Sequence, residues 1–327
     1  MVTATILGDL TAQDDYTHPL GPETNFNESM YFNFFDRSKK AGGFVRLGNR
    51  ANEGYAEMTT TLYMPDGSVL FQFKRADITN NDAMDAGGMR FEVIDPMVKL
   101  RTVYEGSAVH LKEPSQMADP REAFKNNPTK RVKVDLIHEA GGPVYGSSGR
   151  NHQVVDPEKE FAKAHYEQHM VVHGTVDVEG EQTVQIDGLG LRDHSWGPRY
   201  WQAIWSYRWL TINFAPDFGM MVSTVYQDKE HRTQGGVVVR GDKLERIVGV
   251  DIDTKFEGND LYHKSLVAHL ALASGEKLDV SGKVMSFIPL RNRRNGMTTH
   301  VGEGMTEYRC GDAVGYGLSE YLDQVEA

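Results

Sequence analysis

The sequence predicts an all-β protein of antiparallel strands, and three observations predict it. Apolar residues recur with a period of two through much of the chain. Short segments rich in Gly, Pro, Asp and Ser join these runs at hairpin spacing. Helical periodicity is confined to two short stretches, each led by a proline near its first turn. About 16 to 20 short strands with few crossovers leave edges that closure into barrels removes.

Along the chain, "PDG" at 65–67 provides the first clear hairpin turn. Pro120–Asn127 reads as a short helix. In 131–138, Val132, Val134, Leu136 and His138 share one face while Arg131, Lys133 and Asp135 share the other, as a half-buried strand requires. The stretch 106–160 is rich in Pro, Gly, Ser and charge, yet it contains that strand, so it reads as loops within a first domain. Pro157–Ala164 is the second short helix expected. Met170, Val172, Val176 and Val178 then alternate with His173, Thr175 and Asp177, and "EG" at 179–180 turns the chain. After 205, Tyr207 and Trp209 share a face with Trp205, opposite Arg208, Leu210, Ile212 and Phe214, so two apolar surfaces are lined. "APDFG" at 215–219 and "SGE" at 274–276 are further hairpin turns, and Leu266, Ala268, Leu270 and Leu272 form one more strand face. No short-period repeat is present.

The chain has 327 residues, about twice a typical domain, which favours two compact units. With 39% hydrophobic and 25% charged residues it has the composition of a soluble globular protein, and no segment is apolar enough to span a bilayer. A formal charge of −11 repels phosphate backbones. Nucleic acid is therefore not expected as a partner, and Arg291, Arg293 and Arg294 read as decoration of a turn. The single Cys310 excludes an internal disulfide framework and reads as a small apolar filler. The opening "MVTATILGDLTAQDD" lacks a basic start and an apolar run, so a cytoplasmic protein is expected. No Walker loop, strand-linked Gly-x-Gly-x-x-Gly, Gly-x-Ser-x-Gly elbow or His-Glu-x-x-His motif occurs, and no cofactor is expected.

The densest chemistry lies in "LGLRDHSWGPRYWQAIW", 189–205. A strand passes Gly188 and Gly190 into Arg192, Asp193 and His194, and Gly197 with Pro198 must turn the chain, so the charged group sits at a strand end. In an extended segment Asp193 and His194 point to opposite sides. Two readings stay open. An Asp or His kept from water by tryptophans can serve as acid or base. Alternatively, Arg192, Asp193 and Arg199 form a buried ion-pair brace. In "AHYEQHMVVHG", His165, Glu167, His169 and His173 share a face that could bind zinc or simply be solvated, and no metal is assigned.

Three segments carry a resemblance. "GLGLRDHSWG" is similar to the segment that closes the first domain of the carotenoid hydratase (hydroxyneurosporene synthase) and AttH-like family. "DDYTHPLGPETNFNESMYFNFFD" resembles that family's opening pattern through Asp15, His18, Pro19, Glu28, Tyr31 and Phe32, and "GYGLSEYLD" its closing strand through Gly315, Tyr316 and Glu320. Ser29 and Met30 stand where the family has paired tryptophans, which marks a divergent branch. The resemblance implies two tandem lipocalin-like β-barrels, divided near residue 197 into domains 1–197 and 198–327.

With the residues above, it implies a cofactor-free hydratase or lyase acting on a hydrophobic isoprenoid or aromatic small molecule held in a barrel pocket. Asp193, with raised proton affinity, is the expected acid, and His194 the group that handles water. Trp196, Trp201 and Trp205 would face the developing cation. Arg192 and Arg199 would fix carboxylates, among them Glu28 or Glu320, and Tyr31 would add a hydrogen bond. A carrier that leaves its ligand unchanged, or an isomerase or cyclase, fits the same features, and the reading leaves room for a homodimer.

Overall fold

The computed structural model describes residues 4–154, 156, 159–258, 261–294 and 296–325. It divides into two compact units. The first comprises Met1–Pro65, Leu70–His110 and Asn127–Tyr200; the second comprises Asp66–Val69, Leu111–Asn126 and Trp201–Ala327.

Strands of the first unit are β1 (Phe26–Asp36), β2 (Ala41–Arg50), β3 (Tyr55–Tyr63), β4 (Val69–Asp77), β5 (Asp85–Ala86), β6 (Met89–Asp95), β7 (Lys99–Leu111), β8 (Thr129–Ala140), β9 (Tyr145–Ser147), β10 (Ala164–Val178) and β11 (Val184–Pro198). They pair in the order β4-β3-β2-β1-β11-β10-β8-β7, and β4 also pairs with β7, so eight strands close into a ring. The strands β6 and β5 continue from β7, and β9 pairs with β10. The alternation read at 131–138 gives Val132, Val134, Leu136 and His138 as a buried face of β8. Phe32, Phe34, Val45, Leu47, Met58 and Leu136 belong to the core of this unit. Within it His138 meets the Thr102 hydroxyl at 2.9 Å, and burial pushes the imidazole down to about 3, which keeps it neutral.

The second unit holds β12 (Ser206–Ala215), β13 (Phe218–Tyr226), β14 (Arg232–Arg240), β15 (Lys243–Phe256), β16 (His263–Leu272), β17 (Lys277–Arg294), β18 (Met297–Cys310) and β19 (Ala313–Val325). Each pairs with the next, and β12 pairs with β19, so the barrel closes with no edge strand. Leu210, Ile212, Val222, Leu266, Ala268 and Leu270 fill it, with Phe214 packed against them. Of the two faces read on β12, the one through Leu210, Ile212 and Phe214 contributes to this core.

The turns at 65–67, 179–180, 215–219 and 274–276 join β3 to β4, β10 to β11, β12 to β13 and β16 to β17. The first short helix spans Pro120–Asn126. Part of the loop region expected in the first domain, Leu111–Asn126, groups instead with the second unit, where a 3-10 helix at Pro114–Ala118 packs on β17. The helix expected over Pro157–Ala164 falls partly outside the described residues, and Ala164 is extended as the first residue of β10. Among the described residues no helix is long and apolar enough to cross a membrane. These two antiparallel barrels give the all-β, lipocalin-like architecture expected from the sequence.

Candidate functional site

The end of β11 presents two chemically different faces. Register with β1 sets Arg192 against Phe32 and His194 against Met30. Both partners are core residues, so Arg192, His194 and Trp196 face inward while Asp193 and Ser195 face outward. A Cβ at Gly190 would lie 1.9 Å from the Asn33 carbonyl oxygen, so glycine is required where β11 closes on β1 ahead of the charged residues.

Inward, Arg192 is buried and pairs with Asp15, which comes from the 3-10 helix Ala12–Asp15. The Arg192 Nε also donates to Gln168 Oε1 at 2.9 Å. The Tyr166 hydroxyl donates to Asp15 at 2.7 Å and lies 3.1 Å from His194 Nδ1. On the other side of that ring, His194 Nε2 is 2.5 Å from Glu28 Oε1, and His18 Nδ1 is 3.0 Å from the same oxygen. Glu28 is fully buried. Burial pushes its carboxyl up, but hydrogen bonds from His18 and His194 and the charges of both rings hold it down to about 2. Trp196 stacks on His18 with centroids 3.8 Å apart. It belongs to a small apolar cluster with Leu10, Phe26 and Val144.

Outward, register places Tyr31, Asp193, Glu167 and Tyr145 in one row across β1, β11, β10 and β9. Two carboxylates directly opposite each other would repel. His165, one pair along, resolves this: its Nε2 contacts Asp193 Oδ2 and lies 3.7 Å from Glu167 Oε1. Burial lowers the affinity of His165 for its proton, but the charge and hydrogen bond of Asp193, with the charge of Glu167, raise it to about 9. The His165 side chain is 44% exposed, and both carboxylates approach it at Nε2.

The expected raised proton affinity of Asp193 is corrected here. Burial alone would raise it, yet the charge and hydrogen bond of His165 and the charge of Arg199 lower it, so Asp193 is a carboxylate with no proton to give. His194 lies, as the alternation requires, on the inward face with Glu28 and away from Asp193, and it is buried. Arg192 fixes Asp15 instead of Glu28, whereas Arg199 lies near Asp193, with its guanidinium over the Phe161 ring. Tyr31 sits beside Asp193 and stacks on Phe44 at 5.4 Å.

Of the expected tryptophans, Trp196 belongs to the first unit with these groups. Trp201 and Trp205 belong to the second unit, where Lys229 lies over the Trp205 ring. Glu320 is there as well, paired in register with Glu303 of β18. Burial pushes the Glu303 carboxyl up to about 8. Sequence reasoning missed Glu303, and it missed Asp14, Tyr166, Gln168, Tyr145 and Arg150; only Asp15 and His18 had a signal, the "DD" and "HP" pairs of the opening pattern.

Two groups have metal-ligand composition: His18 with Glu28 and His194, and His165 with Glu167 and Asp193, each with its ligand atoms within 4.8 Å of one another. The histidine face expected on β10 is therefore divided. His165 and Glu167 join Asp193, while His173 pairs with Asp187 at 3.2 Å and His169 lies near Tyr145.

The profile of the family described as "Domain of unknown function (DUF7064)" matches residues 11–325. No curated protein matches the sequence. Among solved structures, one designated AttH from Nitrosomonas europaea is similar at a TM-score of 0.63 and 14% identity, covering 99% of this chain and 100% of the other. Kievitone hydratase from Nectria haematococca is similar at a TM-score of 0.58 and 12% identity, covering 90% and 88%. CghA with Sch210972 is similar at 0.58 and 12%, covering 99% and 97%. At these identities the likeness shows a shared fold.

Proposed function

The chain belongs to the family described as Domain of unknown function (DUF7064), and from that premise we propose that it adds water to, or removes it from, a small hydrophobic isoprenoid or aromatic molecule by acid–base chemistry, with His165 as proton donor. The observation that carries the reading is the half-exposed His165, held between two carboxylates and raised to about 9. The fold shared with a protein named as a hydratase supports the reaction class.

Asp193 engages Nε2 and leaves Nδ1 to exchange a proton, the division of labour seen when an aspartate orients a catalytic histidine. At neutral pH the ring is an imidazolium. It passes the Nδ1 proton to an alkene carbon, and the π electrons form the new C–H bond. Water adds to the resulting cation, and the proton it sheds returns to Nδ1, so water is the only net addition. Tyr31 and Tyr145, in the same row, offer aromatic faces to the cation. Asp193 and Glu167 position the ring.

The test is His165→Asn against a panel of isoprenoid and aromatic alkenes. The expected loss of turnover is about 10²–10⁴-fold, and reaction of the native protein in D₂O should place one deuterium on carbon. Unchanged turnover in the variant overturns the acid assignment, and recovery of every compound unaltered from the native protein favours a carrier. Glu303 supports a second reading, because a carboxyl raised to about 8 also keeps a proton at neutral pH. In that case Glu303→Gln, and not His165→Asn, removes turnover.

A further inference from the structure

The inward group His18, Glu28 and His194 has an arrangement that a proton network alone does not require. His18 Nδ1 and His194 Nε2 converge on one oxygen, Glu28 Oε1, from 3.0 and 2.5 Å. The other oxygen, Oε2, is occupied elsewhere, accepting the His18 backbone N–H at 3.0 Å and Asn81 Nδ2 at 3.2 Å. Asn81 is itself held through Asn49 at 3.0 Å. Glu28 is thus fixed so that a single oxygen faces two imidazole nitrogens.

The far nitrogen of each ring is also held. His18 Nε2 faces Asp14 Oδ1 at 3.4 Å, and Asp14 is clamped by Arg150 Nη2 at 2.8 Å to each oxygen. His194 Nδ1 faces the Tyr166 hydroxyl, which is fixed by Asp15. A carboxylate or another hydrogen-bonding group on the far nitrogen is the outer arrangement that orients metal-bound histidines. Two imidazoles and one carboxylate form a donor set suited to zinc or ferrous iron. Donors around a tetrahedral ion bound at about 2.0–2.1 Å stand roughly 3.3 Å apart, so the His18 contact at 3.0 Å would open by about 0.3 Å and the His194 contact at 2.5 Å by about 0.8 Å to admit one. His18 is 17% exposed, which gives a path from solvent.

We propose that His18 Nδ1, Glu28 Oε1 and His194 Nε2 form a binding site for one divalent first-row transition ion, with Asp14 and Tyr166 orienting the two rings. The site joins the segment before β1 to the end of β11, so the ion clasps that segment to the barrel. It lies on the face of β11 opposite His165 and stands independently of the reaction proposed above.

The experiment is titration of the chelator-treated full chain with Zn²⁺ by calorimetry, and with Co²⁺ by absorption. One equivalent should bind, with a Co²⁺ spectrum of low coordination number and a rise in melting temperature. His18→Asn, at a partly exposed position, should keep the fold and abolish stoichiometric binding. Asp14→Asn should weaken binding about 10-fold, and His165→Asn should leave it unchanged. Absence of stoichiometric uptake by the native chain overturns the proposal, as does uptake that survives His18→Asn or is lost in His165→Asn.

Discussion

The two faces of β11 use the same chemical groups in inverted proportion. Inward, one carboxylate, Glu28, is shared by two histidines; outward, one histidine, His165, is shared by two carboxylates. In each case the shared group is shifted by its neighbours. Glu28 is driven down to about 2, and His165 is driven up to about 9. Exposure then separates the histidines: the side chains of His194 and His18 are 1% and 17% exposed, whereas that of His165 is 44% exposed. The inward face is built to hold the fold, and the outward face can exchange protons with a ligand.

The largest expected effect breaks the inward face. Asp15→Ala leaves the Arg192 guanidinium buried without its carboxylate, which should cost about 3–5 kcal/mol in denaturant unfolding. Replacing the pair together, Asp15→Leu with Arg192→Met, should recover most of that loss, because an apolar pair of similar volume need not be worse than a buried ion pair. If Asp15→Ala unfolds at the native midpoint, the inward network is no brace, and the contrast between the faces fails.

Next comes the acid limb. The Glu28 carboxyl has an ordinary value of 4.5 in the unfolded chain and about 2 in the folded protein. A depressed carboxyl contributes stability that is present above 4.5 and is lost as pH falls through 2; the difference corresponds to about 3 kcal/mol. Melting temperatures measured from pH 5 down to pH 2 should fall steeply, and Glu28→Gln should flatten that part of the curve. An unchanged slope in the variant would assign the acid sensitivity to other carboxyls.

The outward face predicts the opposite sign and a smaller effect. His165 has an ordinary value of 6.5 and a folded value of about 9. Its stabilisation is therefore fully present below pH 6.5 and is lost as pH rises through 9. The pair is too exposed for a large contribution, so a shallow decline in melting temperature between pH 6.5 and 9.5 is expected. Asp193→Asn should remove most of it and lower the pH above which turnover is lost. A turnover profile that keeps its alkaline limb in the variant would separate Asp193 from the acid.

These contrasts explain what the sequence made legible. Strands could be read because a half-buried strand must alternate, and the face of β8 through Val132, Val134 and Leu136 follows from that rule alone. The opposed directions of Arg192, Asp193 and His194 could be read for the same reason, whereas the turn expected at Gly197 and Pro198 is not there, since both stay paired with β1 as the last residues of β11. Their partners could not. Asp15 is 177 residues from Arg192 in sequence, and nothing local in either segment encodes their meeting. The sign of the Asp193 perturbation depends on His165 and Arg199 lying beside it, and the placement of His165 follows from the register of β10 with β11. Trp201 and Trp205 were grouped with Asp193 by nearness in sequence, but β11 ends at Pro198 and from Trp201 the chain belongs to the second unit. Glu303 lies in a stretch that carries no motif, and its burial at 4% exposure is a property of the folded molecule.

The smallest effect tests whether burial, and not residue type, sets these values. His173 and Asp187 lie opposite each other on β10 and β11, the same two strands, with their atoms 3.2 Å apart. They are 48% and 86% exposed, so water screens the pair. His173→Ala should change unfolding stability by no more than about 0.5 kcal/mol. A loss comparable to that of Asp15→Ala would mean that any histidine–carboxylate pair across β10 and β11 braces the sheet, and the distinction between the sealed and open faces would rest on something other than access to water.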